Sequence, residues 1–84
     1  MVEVIMYSTA YCPYCMRARD LLEQKAVKYN DIRIDEQPEK RAEMIAKSGR
    51  HSVPQIFING QAIGGCDDMY ALEHQGRLDE LLRE

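Results

Sequence analysis

The spacing of apolar residues changes twice in the first part of the chain. Residues 2–7 form a nearly continuous apolar run, which predicts a short buried strand. The next apolar residues recur at helical spacing and predict a helix over residues 13–25, whose inward face carries Ala18, Leu21 and Leu22. Ile32 and Ile34 then share one face of an alternating stretch, so residues 28–34 are predicted to form a second strand.

The second half of the chain predicts another helix and then a hairpin. The helix is expected over residues 38–48, with Ala42 and Ile45 facing inward. Residues 55–58 and 61–63 are expected to be strands, because the Asn-Gly pair between them is a strong signal for a tight hairpin turn.

A third helix is expected to carry Asp67 and Asp68 in its first turn, where acids are favourable, and to end before Gly76. A terminal turn or short helix follows. The strand, helix and strand at the start predict a right-handed parallel crossover. The order β-α-β-α-β-β-α predicts an α/β protein with a thioredoxin-like fold, in which a four-stranded mixed sheet has helices on both faces. Residues 1–84 are expected to form one domain.

Two cysteines stand three residues apart in Cys12-Pro13-Tyr14-Cys15, between the first strand and the first helix. Pro13 suits the first helical position, because its missing N–H would have no partner there. At the helix start, free backbone N–H groups and the helix dipole favour a thiolate at Cys12, and the thiolate is the nucleophilic form. Cys15 lies one turn further on, close enough to attack a mixed disulfide at Cys12. The pair therefore predicts a two-electron redox site.

The alternative is half of a structural zinc site, which needs four ligands that usually come as two close pairs. The remaining candidates, His51, Cys66 and His74, are isolated in the sequence. The proline within the motif and the flanking strand and helix favour the redox interpretation.

Composition and net charge further narrow the classes of protein to which this chain could belong. The formal net charge is −3 and acids and bases are interspersed, so no basic patch indicates nucleic acid. Three cysteines are an odd number, which fits a reducing compartment better than a secreted disulfide framework. No apolar run reaches the ~20 residues that a membrane span needs, and no signal peptide is evident. We expect a cytoplasmic monomer.

Three sequence blocks resemble the dithiol glutaredoxins. They are Cys12-Pro13-Tyr14-Cys15, Ser52-Val53-Pro54 and Gly64-Gly65-Cys66-Asp67-Asp68. The resemblance covers essentially the whole chain, and residues 40–72 are especially similar to bacterial glutaredoxin 3. The first block alone is moderately specific, and the three blocks in this order and spacing are highly specific.

This resemblance implies a glutathione-dependent oxidoreductase that reduces protein disulfides and glutathione mixed disulfides. It assigns Cys12 as the nucleophile and Cys15 as the resolving thiol, and it implies a cis peptide bond between Val53 and Pro54. Glutathione is implied as the reducing co-substrate, with no permanently bound cofactor and no metal. Disulfide-containing or glutathionylated proteins are the implied partners. The implied glutathione-binding residues are Tyr14, Ser52, Val53, Pro54, Gly65, Cys66, Asp67 and Asp68, with Arg50 as a further candidate.

Physical chemistry agrees with the implied role of the third block. Backbone amides at the start of the third helix can bind the γ-glutamyl carboxylate. An aspartate nearby can bind the ammonium group of the same ligand. Glycines before the helix allow a ligand backbone to come close.

Two departures from the family pattern stand out. Many members have a lysine in the loop before the first cysteine, whereas here that loop is Ser8-Thr9-Ala10-Tyr11. Arg17 and Arg50 are the candidates to replace this cation. Ser52 stands where threonine is common, a change that should matter little.

Several single residues keep two interpretations. Tyr14 is either a glutathione contact or a half-exposed residue at a helix start. Cys66 is either a small buried hydrophobe or a second redox thiol. Arg50 either contacts the glutathione carboxylate or is a solvated charge. His51 and His74 are expected at the surface.

Two other functions are compatible with a chain of this kind. A thioredoxin-like protein reduced by a flavoprotein reductase would be expected to carry tryptophan before the motif, and this chain has none. A carrier of an iron–sulfur cluster with glutathione as co-ligand usually lacks the proline after the first cysteine, so Pro13 counts against it.

Overall fold

Four strands form one mixed sheet in the computed structural model, which describes residues 2–83. They are β1 (Val4–Ser8), β2 (Asn30–Arg33), β3 (Gln55–Ile58) and β4 (Gln61–Gly64). Their order across the sheet is β2-β1-β3-β4. β1 is parallel to β2 and antiparallel to β3, and β3 is antiparallel to β4. The predicted crossover and hairpin are therefore both present, and the thioredoxin-like fold is confirmed.

Four helices cover the two faces of this sheet. They are α1 (Pro13–Gln24), α2 (Lys40–Ser48), α3 (Cys66–His74) and α4 (Leu78–Leu82). Side chains of α1, α3 and α4 pack with β1 and β3 in the larger core cluster, whereas Met44 of α2 packs with Tyr7 and Phe57 in a smaller one. Because successive strand residues point to opposite faces, Met6 and Tyr7 belong to different clusters. None of the helices in the described part of the chain has the length and apolar character needed to cross a membrane.

One predicted core position is wrong. Ala42 is exposed, and Met44 is the fully buried residue of α2, with Ile45 half-buried. Residues 38 and 39 form a turn, and the helix begins two residues later than predicted, at Lys40. Two residues in a helix are about 200° apart, so a helix that buries Met44 turns Ala42 toward solvent.

The other element boundaries match the prediction, as for β3 and the start of α1, or differ from it by one or two residues. β1 begins at Val4 and includes Ser8, β2 is shorter at both ends, and α1 ends at Gln24. The predicted terminal turn or short helix is the helix α4, and Asp67 and Asp68 lie in the first turn of α3, as expected.

Candidate active site

The start of α1 surrounds the sulfur of Cys12 with polar groups. Cys12 is the N-cap residue in an extended conformation, and its Sγ accepts a hydrogen bond from the backbone N–H of Cys15 at 3.3 Å. Pro13 occupies the first helical position, as predicted. The residue is only half-buried, so the sulfur is open to a reaction partner. The Cys12 sulfur therefore lies at the N-terminus of α1, in contact with a backbone amide of its first turn.

Cys15 lies in a different environment, one turn further along α1. It is fully buried, and burial is the main reason that its pKa is raised to about 11. The nearby Cys12 also raises this pKa, whereas a backbone hydrogen bond from Thr9 and the charge of Arg19 lower it. Cys15 therefore keeps its proton at neutral pH and is shielded from solvent, while Cys12 is accessible.

A polar network behind the thiols was not anticipated from the sequence. The Arg19 guanidinium donates to Asp31 Oδ2 at 2.7 Å, to Ser8 Oγ at 2.8 Å and to the Thr9 carbonyl at 3.2 Å. The Ser8 hydroxyl also donates to Asp31. These bonds join α1, β1 and β2 directly beneath the loop that leads to Cys12. The available sequence signal was an arginine four residues after Cys15, on the same helix face.

The register of the sheet brings a second loop next to Cys12. Tyr7, near the end of β1, pairs with Gln55, the first residue of the antiparallel strand β3. The loop after β1 and the loop before β3 therefore meet at the same edge of the sheet. As a result, Cys12 Sγ lies 3.9 Å from the Val53 carbonyl oxygen. The Val53–Pro54 peptide bond is cis, as the family resemblance implied.

A groove of about 360 Å³ lies beside these loops. Its lining brings together all nine residues that were expected to bind or flank glutathione, from three separate parts of the chain. They are Tyr14, Arg50, Ser52, Val53, Pro54, Gly65, Cys66, Asp67 and Asp68.

Asp68 has two partners at one rim of the groove. Its Oδ2 accepts the backbone N–H of Gly65 at 2.9 Å, which caps α3, and it pairs with Arg50 Nη1 at 2.8 Å. The Gly65 hydrogen bond, followed by Arg50, lowers the pKa of the Asp68 carboxyl. Gly64 makes room for this carboxylate, because its φ is +113° and an added Cβ would lie 2.8 Å from Asp68 Cγ.

Cys66 is the first residue of α3 and is 3% exposed, although it contributes to the groove lining. Burial is the main cause of the raised pKa of its thiol. These facts match its interpretation as a small buried hydrophobe.

The two candidate replacements for the missing lysine have other partners. The Arg17 guanidinium lies 5.2 Å from the centre of the Tyr70 ring, and Arg50 pairs with Asp68. His51 and His74 are exposed, as expected. Within residues 2–83, no three His, Cys, Asp or Glu side chains are grouped so that they could hold a metal ion.

Comparison with known proteins agrees with this arrangement. The sequence profile of the glutaredoxin family matches residues 4–63. Glutaredoxin 3 of Escherichia coli (strain K12) is 53% identical over 83 residues, which are 99% of this chain and 100% of that protein.

Two solved structures have the same fold. The solution structure of glutaredoxin from Brucella melitensis has a TM-score of 0.84 and 54% identity, over 98% of this chain and 89% of that one. A crystal structure of a buckwheat glutaredoxin-glutathione complex has a TM-score of 0.88 and 31% identity, over 95% and 76% of the two chains. The protein belongs to the glutaredoxin family of glutathione-dependent oxidoreductases.

Proposed function

We propose that the protein reduces glutathione mixed disulfides and protein disulfides through Cys12 and Cys15, with glutathione as the reductant. The observation that carries the proposal is the contrast between the two thiols. Cys12 is accessible and receives an amide hydrogen bond at a helix start, whereas Cys15 is buried one turn away with its pKa raised to about 11.

With a glutathionylated substrate, the Cys12 thiolate attacks the glutathione sulfur. A disulfide forms between Cys12 and glutathione, and the substrate leaves as a thiolate that takes up a proton. The thiolate of a second glutathione then attacks the glutathione sulfur of that disulfide, which releases glutathione disulfide and restores the Cys12 thiolate.

With a protein disulfide, Cys12 forms a mixed disulfide with the substrate and releases the substrate's other sulfur as a thiolate. Cys15 then loses its proton and attacks Cys12, which releases the fully reduced substrate and leaves a Cys12–Cys15 disulfide. Two glutathione molecules reduce this disulfide and become glutathione disulfide. Glutaredoxin potentials of roughly −200 to −230 mV lie near that of the cytosolic glutathione pool, so both directions are feasible.

The groove supports the proposal through its charges. Arg50 and Asp68 neutralise each other at its rim in this structure. A ligand that carries both a carboxylate and an ammonium group, as the γ-glutamyl end of glutathione does, can exchange for this ion pair. Asp67 is exposed and adjacent, and the first-turn amides of α3 can receive the carboxylate. The buckwheat glutaredoxin with a similar fold has been determined as a glutathione complex.

We also propose that the protein works as a monomer in the cytoplasm. Its three cysteines are free thiols, and the proposed reaction requires a reducing glutathione pool. Size-exclusion chromatography with light scattering tests whether the protein is monomeric in solution.

The assignment of the two thiols is tested with Cys12→Ser and Cys15→Ser in a glutathione-coupled assay. Cys12→Ser should abolish turnover of both substrate types. Cys15→Ser should keep turnover of a small glutathione mixed disulfide and lose most reduction of a protein disulfide, since resolution is then no longer intramolecular. Turnover of the mixed disulfide by Cys12→Ser would show that the nucleophile is misassigned. Running the assay with a flavoprotein reductase in place of glutathione separates this function from that of a thioredoxin.

A further inference from the structure

The guanidinium group of Arg19 is held in one position by three acceptors behind the redox pair. It donates to Asp31 Oδ2 at 2.7 Å, to Ser8 Oγ at 2.8 Å and to the Thr9 carbonyl oxygen at 3.2 Å. Ser8 is fully buried, and the side chains of Arg19 and Asp31 are only 20% and 25% exposed. Because its N–H donors form a rigid planar fork, a guanidinium with several acceptors keeps a defined place. The charge of Arg19 is therefore fixed beneath the loop that leads to Cys12.

This network reaches the sulfur of Cys15 in two ways. Arg19 lies one turn after Cys15 on α1, and residues four apart share one face of a helix. Its charge lowers the pKa of the Cys15 thiol. Thr9, whose carbonyl oxygen accepts from Arg19, also directs a backbone hydrogen bond to the Cys15 sulfur. Both interactions favour the thiolate, whereas burial and the nearby Cys12 oppose it.

The step in which Cys15 attacks Cys12 requires a thiolate at a buried position. Cys15 is fully buried and protonated before the step, so negative charge develops on its sulfur away from water. The proton leaves Cys15, its sulfur bonds to the Cys12 sulfur, and the bond between Cys12 and the substrate sulfur breaks. The substrate sulfur departs with the electron pair and takes up a proton. A charge of opposite sign that is already in place stabilises this developing anion without reorganisation.

We propose that Arg19 is a positioning residue for the resolving step, in which it holds a positive charge and the Thr9 backbone N–H beside the sulfur of Cys15. The inference rests on the proposed function and concerns its dithiol branch alone, because Cys12 turns over glutathione mixed disulfides without Cys15. Asp31 serves the same step indirectly, since it holds the guanidinium in place.

The test separates the two thiol steps with the symmetrical disulfide of thionitrobenzoate, whose released thiolate is coloured. One equivalent of this reagent is mixed with the reduced protein, and the colour is followed by stopped flow. Attack by Cys12 releases the first thionitrobenzoate and leaves the second bound to Cys12. Attack by Cys15 then releases the second and leaves a Cys12–Cys15 disulfide. Cys15→Ser should show the first phase alone, which identifies the two phases.

Three variants are compared with the wild type. Arg19→Gln removes the charge and keeps a hydrogen-bonding side chain, whereas Arg19→Lys keeps the charge. Lys28→Gln is the matched control, because it removes one positive charge at an exposed position. Thermal unfolding checks that the proteins are folded, and turnover of a small glutathione mixed disulfide reports the reaction that needs only Cys12.

Arg19→Gln should slow the second phase about threefold to tenfold, because a smaller fraction of Cys15 is thiolate and the greater nucleophilicity of a more basic sulfur offsets only about half of that loss. Its first phase and its turnover of the mixed disulfide should stay within about twofold of the wild type, since neither involves Cys15. Arg19→Lys should bring the second phase back to within about twofold of the wild type, because it restores the charge. Lys28→Gln should change neither phase.

The role of Arg19 is refuted if Arg19→Gln leaves the second phase unchanged, or if it slows both phases equally, because the defect would then be a general loosening of the site. An Arg19→Lys variant as slow as Arg19→Gln would also refute it, because charge would then not be the cause. If Arg19→Gln does not fold, Arg19→Gln/Asp31→Asn takes its place with the same expectations, since it leaves no unpaired carboxylate. Failure of the proposed function gives a different result, namely no turnover of the glutathione mixed disulfide by the wild type, while both phases can still be measured.

Discussion

Asp68→Ala should destabilise the protein through the loss of a helix cap. Asp68 Oδ2 accepts the Gly65 N–H at 2.9 Å and pairs with Arg50 at 2.8 Å. The substitution removes both interactions and leaves the Gly65 amide without its partner at the start of α3. It introduces no steric conflict, because alanine is smaller and suits a helix.

The two interactions differ in size. The loss of a capping hydrogen bond costs typically about 1 kcal/mol of unfolding free energy. The ion pair adds only a few tenths of a kcal/mol, because the Arg50 and Asp68 side chains are 53% and 44% exposed. We therefore expect a total loss of about 1–1.5 kcal/mol, which would lower Tm by roughly 4–12 °C for a domain of this size.

Two control variants separate the effect of losing the helix cap from the effect of losing a charge. Arg50→Ala removes the ion pair and keeps the cap, so it should cost no more than a few tenths of a kcal/mol. Asp67→Ala removes an acid from the same helical turn without touching the cap, so it should cost about 0.3–1 kcal/mol through the helix dipole. Urea unfolding at pH 7, followed by circular dichroism, measures the free energy of unfolding for all four proteins.

The effect should also depend on pH. The pKa of Asp68 is lowered in the folded protein, so its stabilisation is fully present above the unfolded-state pKa of about 3.9 and is lost as the pH falls through the folded value. The difference between the wild type and Asp68→Ala should thus be constant from about pH 5 to pH 7 and shrink below about pH 4. The reasoning is refuted if Asp68→Ala is as stable as Asp67→Ala, or if the difference does not shrink in acid.

Two further predictions concern the same end of the groove. Gly64→Ala should destabilise the protein by about 2 kcal/mol or more in urea unfolding, because Gly64 has φ +113° and an added Cβ would crowd the Asp68 carboxylate; a variant as stable as the wild type would contradict this. Asp67→Ala should raise KM for glutathione several-fold and leave the rate of Cys12 alkylation by iodoacetamide unchanged or slightly higher, because removal of a nearby acid cannot disfavour a thiolate. An unchanged KM for glutathione would count against the binding of its ammonium group by Asp67.

The local spacing of apolar residues was sufficient to predict most helices and strands, and the motif itself identified the two reactive cysteines. Cys12 and Cys15 are three residues apart, so their placement at a helix start depends only on Pro13 and the neighbouring turn. Alternating and helical spacing likewise predicted the sheet and the buried face of α1, since these periods reflect which side of one element faces the core. The same pattern misplaced Ala42, because Ala42 and the buried Met44 are about 200° apart on α2 and cannot both face the core.

The groove and its charges depended on contacts between distant parts of the chain. Val53 and Asp68 reach the neighbourhood of Cys12 because β1 and β3 are adjacent and antiparallel, and because β4 ends at the same edge of the sheet. The three sequence blocks predicted which residues take part, but no local period encodes the pairing of Arg50 with Asp68 or the position of Arg19 beneath the thiols. Those contacts form only when strands separated by tens of residues pair in one register, and that register is decided by the packing of both core clusters at once.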